Sequence, residues 1–120
     1  MNFDSGLPIY MQIVEIIKAR IVTGTLERGE KLPSVRDMAT ELKVNPNTIQ
    51  RSYGELEREH IVFTQRGMGT FVTEDESVLK SLKATMAREK MISFMVDMEQ
   101  LGYSRDELPG ILEEMIVEGK

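Results

Sequence analysis

Apolar residues recur along the chain first at helical spacing, then in short extended runs, then at helical spacing again. In "LPIYMQIVEIIKARIVTG" the residues Ile9, Ile13, Ile16, Ile17 and Ile21 share one side of a helix, with Pro8 suited to an early helical position and Gly24 to its end. "TLERGEKLP" then offers a turn at 28–30 and a short extended stretch at 31–33. Ser34 opens a second, short helix, because its hydroxyl can cap free amides and Asp37 three residues on favours the positive end of the helix dipole. Val35, Met38, Ala39 and Leu42 supply its buried stripe.

The stretch "VNPNTIQRSY" begins a third helix despite its proline. Asn45 is a good N-cap, and Pro46 falls at the first helical position, where its missing N–H costs nothing. At about 100° per residue, Ile49, Tyr53 and Leu56 gather on one side, and Asn47, Arg51, Gly54 and Arg58 on the other. The outward stripe is polar, partly cationic and flat at Gly54. After His60 the pattern turns extended, with "IVFT" and "TFVT" flanking "QRGMG", whose glycines suit a tight reversal. Three helices, the last two joined by a short step at 43–46, followed by a hairpin, are the parts of a winged helix-turn-helix.

A composition shift at "TEDES" marks a boundary, giving a winged helix-turn-helix over 1–75 and a helical dimerisation segment over 76–120. The second region predicts a long helix to about Leu101 carrying Val78, Leu79, Leu82, Met86, Ile92, Met95 and Met98, closed by Gly102. Ser104 and Glu107 form a capping box for a last helix with Leu108, Ile111, Leu112, Met115 and Ile116. A helix of that length measures roughly 39 Å, more than a small domain needs, so part of its apolar face should meet a partner. The expected fold class is mainly α with a small β-hairpin: an N-terminal winged helix-turn-helix plus a C-terminal two-helix dimerisation hairpin.

Composition narrows the function. A chain of 120 residues, 41% apolar, supports a modest core and no large catalytic architecture. It has no cysteine, its start lacks the features of a signal peptide, and no run approaches the ~18 apolar residues of a membrane span. A cytoplasmic protein without metal, cofactor or membrane partner is expected. The net charge of −5 runs against duplex binding. By region, residues 1–75 hold nine basic against eleven acidic residues and 76–120 hold six against nine, so the N-terminal part is less acidic per residue without being basic. Modest non-specific affinity and a reliance on two simultaneous half-site contacts follow.

The stretches "PIYMQIVEIIKARIVTGTLERGEKLPSVRDMA", "VNPNTIQRSYGELE" and "TQRGMGTFV" together resemble the GntR family of bacterial transcriptional regulators, over about the first 73 residues in order. The short two-helix C-terminal appendage resembles the YtrA-type branch. That resemblance implies a homodimeric repressor, often of a transporter operon, binding an inverted-repeat operator on double-stranded DNA. Family DNA contacts carry over to Arg36, to the residues opening the third helix, and to the wing tip. Where many members have threonines and arginines, this chain has Asn45, Pro46, Asn47, Thr48 and Gln50; His60 stands where a glycine is common, and histidine tolerates the left-handed conformation such a site needs.

The third helix is expected to offer free backbone amides to phosphate, with Asn47, Thr48, Gln50 and Arg51 facing the groove. Arg51 could grip a guanine or hold a phosphate, and a solvated helix face is the plain alternative. Arg36, with Ser34 beside it, should clamp phosphate or a base, against the alternative of an ion pair with Asp37 or Glu41. Gln65, Arg66 and Gly67 form a slender cationic tip suited to a narrow minor groove, the alternative being an ordinary hairpin. Lys43 and Arg58 could touch phosphates or simply be surface. Tyr53 and Phe71 read as core, His60 as a helix cap, the nine methionines as packing, and "GMG" as no phosphate loop.

Two other classes compete. A winged helix could serve as a protein–protein interaction module without DNA binding, as the acidic total suggests. An enzyme is disfavoured by a single histidine, no cysteine and no recognisable paired carboxylates with a base. No small-molecule effector is indicated; one would have to bind at the dimer interface or between the two regions.

Overall fold

A computed structural model describes residues 6–119. In chain order the elements are α1 (Ile9–Val22), α2 (Val35–Leu42), α3 (Pro46–Arg58), β1 (Val62–Gln65), β2 (Gly69–Val72), α4 (Glu76–Gln100) and α5 (Leu108–Glu118), the last preceded by a 3₁₀ turn (Arg105–Glu107). The mainly α composition with one antiparallel hairpin is the expected fold class. The chain divides into two compact units, one ending at Lys83 and one beginning at Ala84.

In the first unit the core forms where three helices present their apolar stripes to one another. Ile13, Val14, Ile17 and Ile21 of α1 are buried with Met38, Ala39 and Leu42 of α2 and Ile49, Tyr53 and Leu56 of α3. The α1 stripe differs from the isoleucine series by including Val14, leaving Ile16 half-buried, and leaving Ile9 exposed, since Ile9 is the first residue of the helix and lies beyond the core. Pro8 stands one place earlier than expected, at the N-cap, and Val35 is only half-buried. Ser52 is fully buried and satisfied, its hydroxyl lying 2.8 Å from the Thr48 carbonyl and 3.0 Å from the Tyr10 carbonyl, which ties the start of α1 to α3.

The step between α2 and α3 is made by Lys43, which takes the left-handed conformation at φ 58° and ends α2, while Val44 N–H reaches back to the Ala39 carbonyl. His60 performs the same service after α3. At φ 64° it lets its own N–H bond the Glu57 carbonyl and the Ile61 N–H bond the Leu56 carbonyl, the paired bonds of a Schellman closure. This is the capping role its position suggested.

The hairpin pairs Val62 with Val72, Phe63 with Phe71, Thr64 with Thr70 and Gln65 with Gly69. Val62 and Val72 are buried against the helices, whereas Phe71 is half-buried and stacks on Phe63 at 5.7 Å instead of entering the core. The extended stretch before α2 joins this sheet: Lys31 bridges Phe71, Leu32 N–H donates to the Thr70 carbonyl and Val72 N–H to the Glu30 carbonyl. The wing is therefore anchored on both sides of β2.

In the second unit α4 continues to Gln100 and the left-handed Gly102 follows, as its sequence position suggested. Glu107 Oε1 accepts from Ser104 N–H at 2.9 Å, but this box caps the 3₁₀ turn that leads into α5 rather than α5 itself. Among the described residues from Ala84 on, Leu108 alone is buried, while Leu101, Ile116 and Val117 are 74–80% exposed. No helix among the described residues is long and apolar enough to cross a membrane.

Candidate nucleic-acid interface

Helix α3 is positioned by its own first four residues. Asn45 Oδ1 accepts from Asn47 N–H at 2.8 Å, Thr48 N–H bonds the Asn45 carbonyl at 2.9 Å, and Pro46 has no N–H to offer. The expectation of free backbone amides at this end is thus corrected. The cap consumes them locally, so a phosphate would have to be held by side chains. Asn45 keeps its side-chain NH₂ as a donor, and Asn47 and Gln50 are exposed, with Thr48 half-buried beside them.

The outward stripe of α3 is as its periodicity predicted, with Asn47, Arg51, Gly54 and Arg58 all exposed. Arg51 is not extended into solvent alone. Its guanidinium carbon lies 3.8 Å from the centroid of the Tyr10 ring on α1, a cation–π stack that joins residues 41 positions apart. Sequence reasoning missed Tyr10, because the stripe of one helix does not say which side chain of another crosses it.

Ser34 accepts from Asp37 N–H at 3.1 Å and so caps α2 while its own O–H remains a possible donor. Arg36 is exposed two residues on. The alternative that Glu41 neutralises it is not met, since Glu41 accepts from Arg20 at 2.5 Å, and among the described residues Arg36 makes no ion pair with Asp37 either. At the wing, Gln65 and Arg66 are exposed, Gly67 turns the chain at φ 78°, and Met68 N–H closes the reversal on the Gln65 carbonyl at 2.8 Å.

These placements sort the cations of the first unit. Lys18 pairs with Glu59 at 3.0 Å and Glu15 at 3.8 Å, Arg20 with Glu41, Arg28 with Glu76 and Arg58 with Glu55. Among the described residues of this unit the exposed Lys31, Arg36, Lys43, Arg51, Arg66, Lys80 and Lys83 carry no such pair, and four of these, Arg36, Lys43, Arg51 and Arg66, belong to the expected contact set. The carboxylates of this unit therefore pair largely with cations outside the expected contact set. Among the described residues, no group of three or more His, Cys, Asp or Glu is placed to hold a metal ion.

Residues 9–72 match the family described as bacterial regulatory proteins, gntR family. The chain is 48% identical over 107 residues to the uncharacterised HTH-type transcriptional regulator YhcF of Bacillus subtilis, covering 89% of this chain and 88% of that protein. It is 38% identical over 117 residues to the HTH-type transcriptional repressor YtrA of the same organism, covering 97% and 90%. Among solved structures, a GntR family transcriptional regulator from Listeria monocytogenes superposes with a TM-score of 0.83 at 44% identity, covering 93% of this chain and 98% of that one. The DNA-binding domain of AraR in complex with operator ORX1 superposes with a TM-score of 0.55 at 28% identity, over 61% and 90% of the two chains. With its three-helix core, hairpin wing and two following helices, this chain belongs to the GntR family of transcriptional regulators, in the YtrA-type branch.

Proposed function

We propose that this protein is a cytoplasmic, homodimeric repressor that binds an inverted-repeat operator, of a transporter-type operon as the YtrA resemblance implies, and that it has no enzymatic activity. The observation that carries the reading is the division of cations. Of the cations predicted to meet DNA, Arg36, Lys43, Arg51 and Arg66 are exposed and free of carboxylates while Arg58 is paired with Glu55, so a chain of net negative charge still has local donors for phosphate.

In this reading residues 1–75 are the DNA-binding domain. Arg36 and Ser34 grip the backbone, Asn45, Asn47, Thr48 and Gln50 enter the major groove, and Gln65, Arg66 and Gly67 reach the minor groove. Residues 76–120 dimerise. The exposed Met91, Ile92, Phe94 and Val96 of α4 and Leu112, Met115 and Ile116 of α5 support this, because a unit with so little core of its own needs apolar cover. Two-fold symmetry of the protein would be mirrored in the DNA.

A gel shift with DNA from upstream of the protein's own gene tests the reading, with Arg36→Ala and Gln50→Ala beside the unsubstituted chain. Retarded DNA that both substitutions weaken supports it. No retardation at any concentration would favour a protein–protein interaction module on the same fold.

A further inference from the structure

We infer that Tyr10 is a positioning residue that holds Arg51 as a clamp for the sugar-phosphate backbone rather than as a reader of bases, and that Gly54 keeps the seat for that backbone open. This rests on the reading that α3 meets duplex DNA. The backbone that carries the Tyr10 ring is tied to α3, since the Tyr10 carbonyl accepts from the buried Ser52 hydroxyl, on the residue next to Arg51. With its carbon 3.8 Å over the Tyr10 ring centroid, the Arg51 guanidinium gives one side to the ring, and its N–H groups turned away from the ring remain donors for a phosphate.

Position along the helix points the same way. Recognition helices read bases with their N-terminal residues, here Asn47 and Gln50, whereas Arg51 is drawn against α1. With the α3 amides consumed by the cap, side-chain cations are what remain for phosphate.

Tyr10, Arg51, Gly54, Glu55 and Arg58 line one shallow depression. A Cβ built on Gly54 meets nothing within 4 Å, so no packing within this chain requires glycine there. Glycine in a helix interior is destabilising relative to alanine, and close approach of another backbone is a reason to keep it. Arg58, now paired with Glu55, is exposed enough to exchange that carboxylate for a phosphate.

The test uses a duplex that the unsubstituted protein selects from a random library, a scrambled duplex, and fluorescence anisotropy across a series of KCl concentrations. Arg51→Ala should weaken binding to both duplexes by the same factor and lower the slope of log K against log salt by about 1. Tyr10→Leu should weaken both by about two- to five-fold, while Tyr10→Phe, which keeps the ring, stays at the unsubstituted value. Gly54→Leu should bind less tightly although its thermal midpoint is unchanged or higher. A changed ratio between the duplexes for Arg51→Ala at unchanged salt slope would make Arg51 a base reader and overturn the inference, as would equal binding by Tyr10→Leu and Tyr10→Phe. Failure of the unsubstituted protein to bind either duplex would instead overturn the regulator reading beneath it.

Discussion

The Tyr53 hydroxyl donates to the Pro33 carbonyl at 2.7 Å, joining the middle of α3 to the extended segment that leads into α2. Pro33 precedes the N-cap Ser34, so this one bond sets the entry of the helix that carries Arg36. Burial, reinforced by Glu41 and opposed by Arg20, holds the phenol well above the ordinary tyrosine range, so it stays a donor at alkaline pH.

Tyr53→Phe removes the donor, leaving the carbonyl short of a partner, at a cost of about 1 to 2 kcal/mol. Urea unfolding should show it as a lower midpoint at unchanged slope. Because the folded-state pKa is raised, the stability contributed by Tyr53 is complete below the ordinary tyrosine range and is lost as pH climbs towards the raised value. The phenylalanine variant should lack that alkaline decline, and an unchanged midpoint at neutral pH would remove the hydroxyl from this role.

His60→Gly should stabilise the first unit. The left-handed conformation costs a side chain about 1 to 2 kcal/mol, whereas the extra freedom of an unfolded glycine costs about 0.5 to 1, so a net gain below about 1.5 kcal/mol is expected. Thermal unfolding checks the sign. A lower midpoint would show that the imidazole does more than close α3.

What the chain announced in advance was local chemistry. Caps and turns act over two to five residues, so Ser34, Asn45–Pro46 and Gly102 could be placed from neighbours alone, whereas the left-handed His60 was suggested by the family resemblance and the left-handed Lys43 carried no local signal. Periodicity likewise separated Ile49, Tyr53 and Leu56 from the outward stripe. What it could not convey was which side chains meet across elements. Glu41 is near Arg36 in sequence yet is held by Arg20 of α1, and Arg51 rests on Tyr10, because helix crossing and not spacing decides these pairs. The Lys31–Phe71 bridge escaped for the same reason: a two-stranded hairpin gives no sign of the third segment that lies beside it.

The entry to α5 should weaken at acid pH. The Ser104 amide, followed by its hydroxyl, holds the Glu107 carboxyl below the usual glutamate range. A depressed folded-state pKa means that the cap contributes fully at neutral pH and is lost as pH falls through the folded value. Protection of the Ser104 amide, taken relative to its intrinsic exchange rate at each pH, should fall over that acid window in the unsubstituted chain, and in Glu107→Gln it should stay constant over the same window. Equal pH profiles would show that the carboxylate is not the acceptor that matters.

The central claim, that two copies joined through residues 76–120 present two α3 helices to one duplex, is tested most directly by sedimentation equilibrium of the protein with a duplex it has selected. The account predicts a complex of two chains per duplex, and a large loss of affinity when one half of the inverted repeat is scrambled. A single chain bound per duplex, with the intact and half-scrambled sites held equally well, would contradict it.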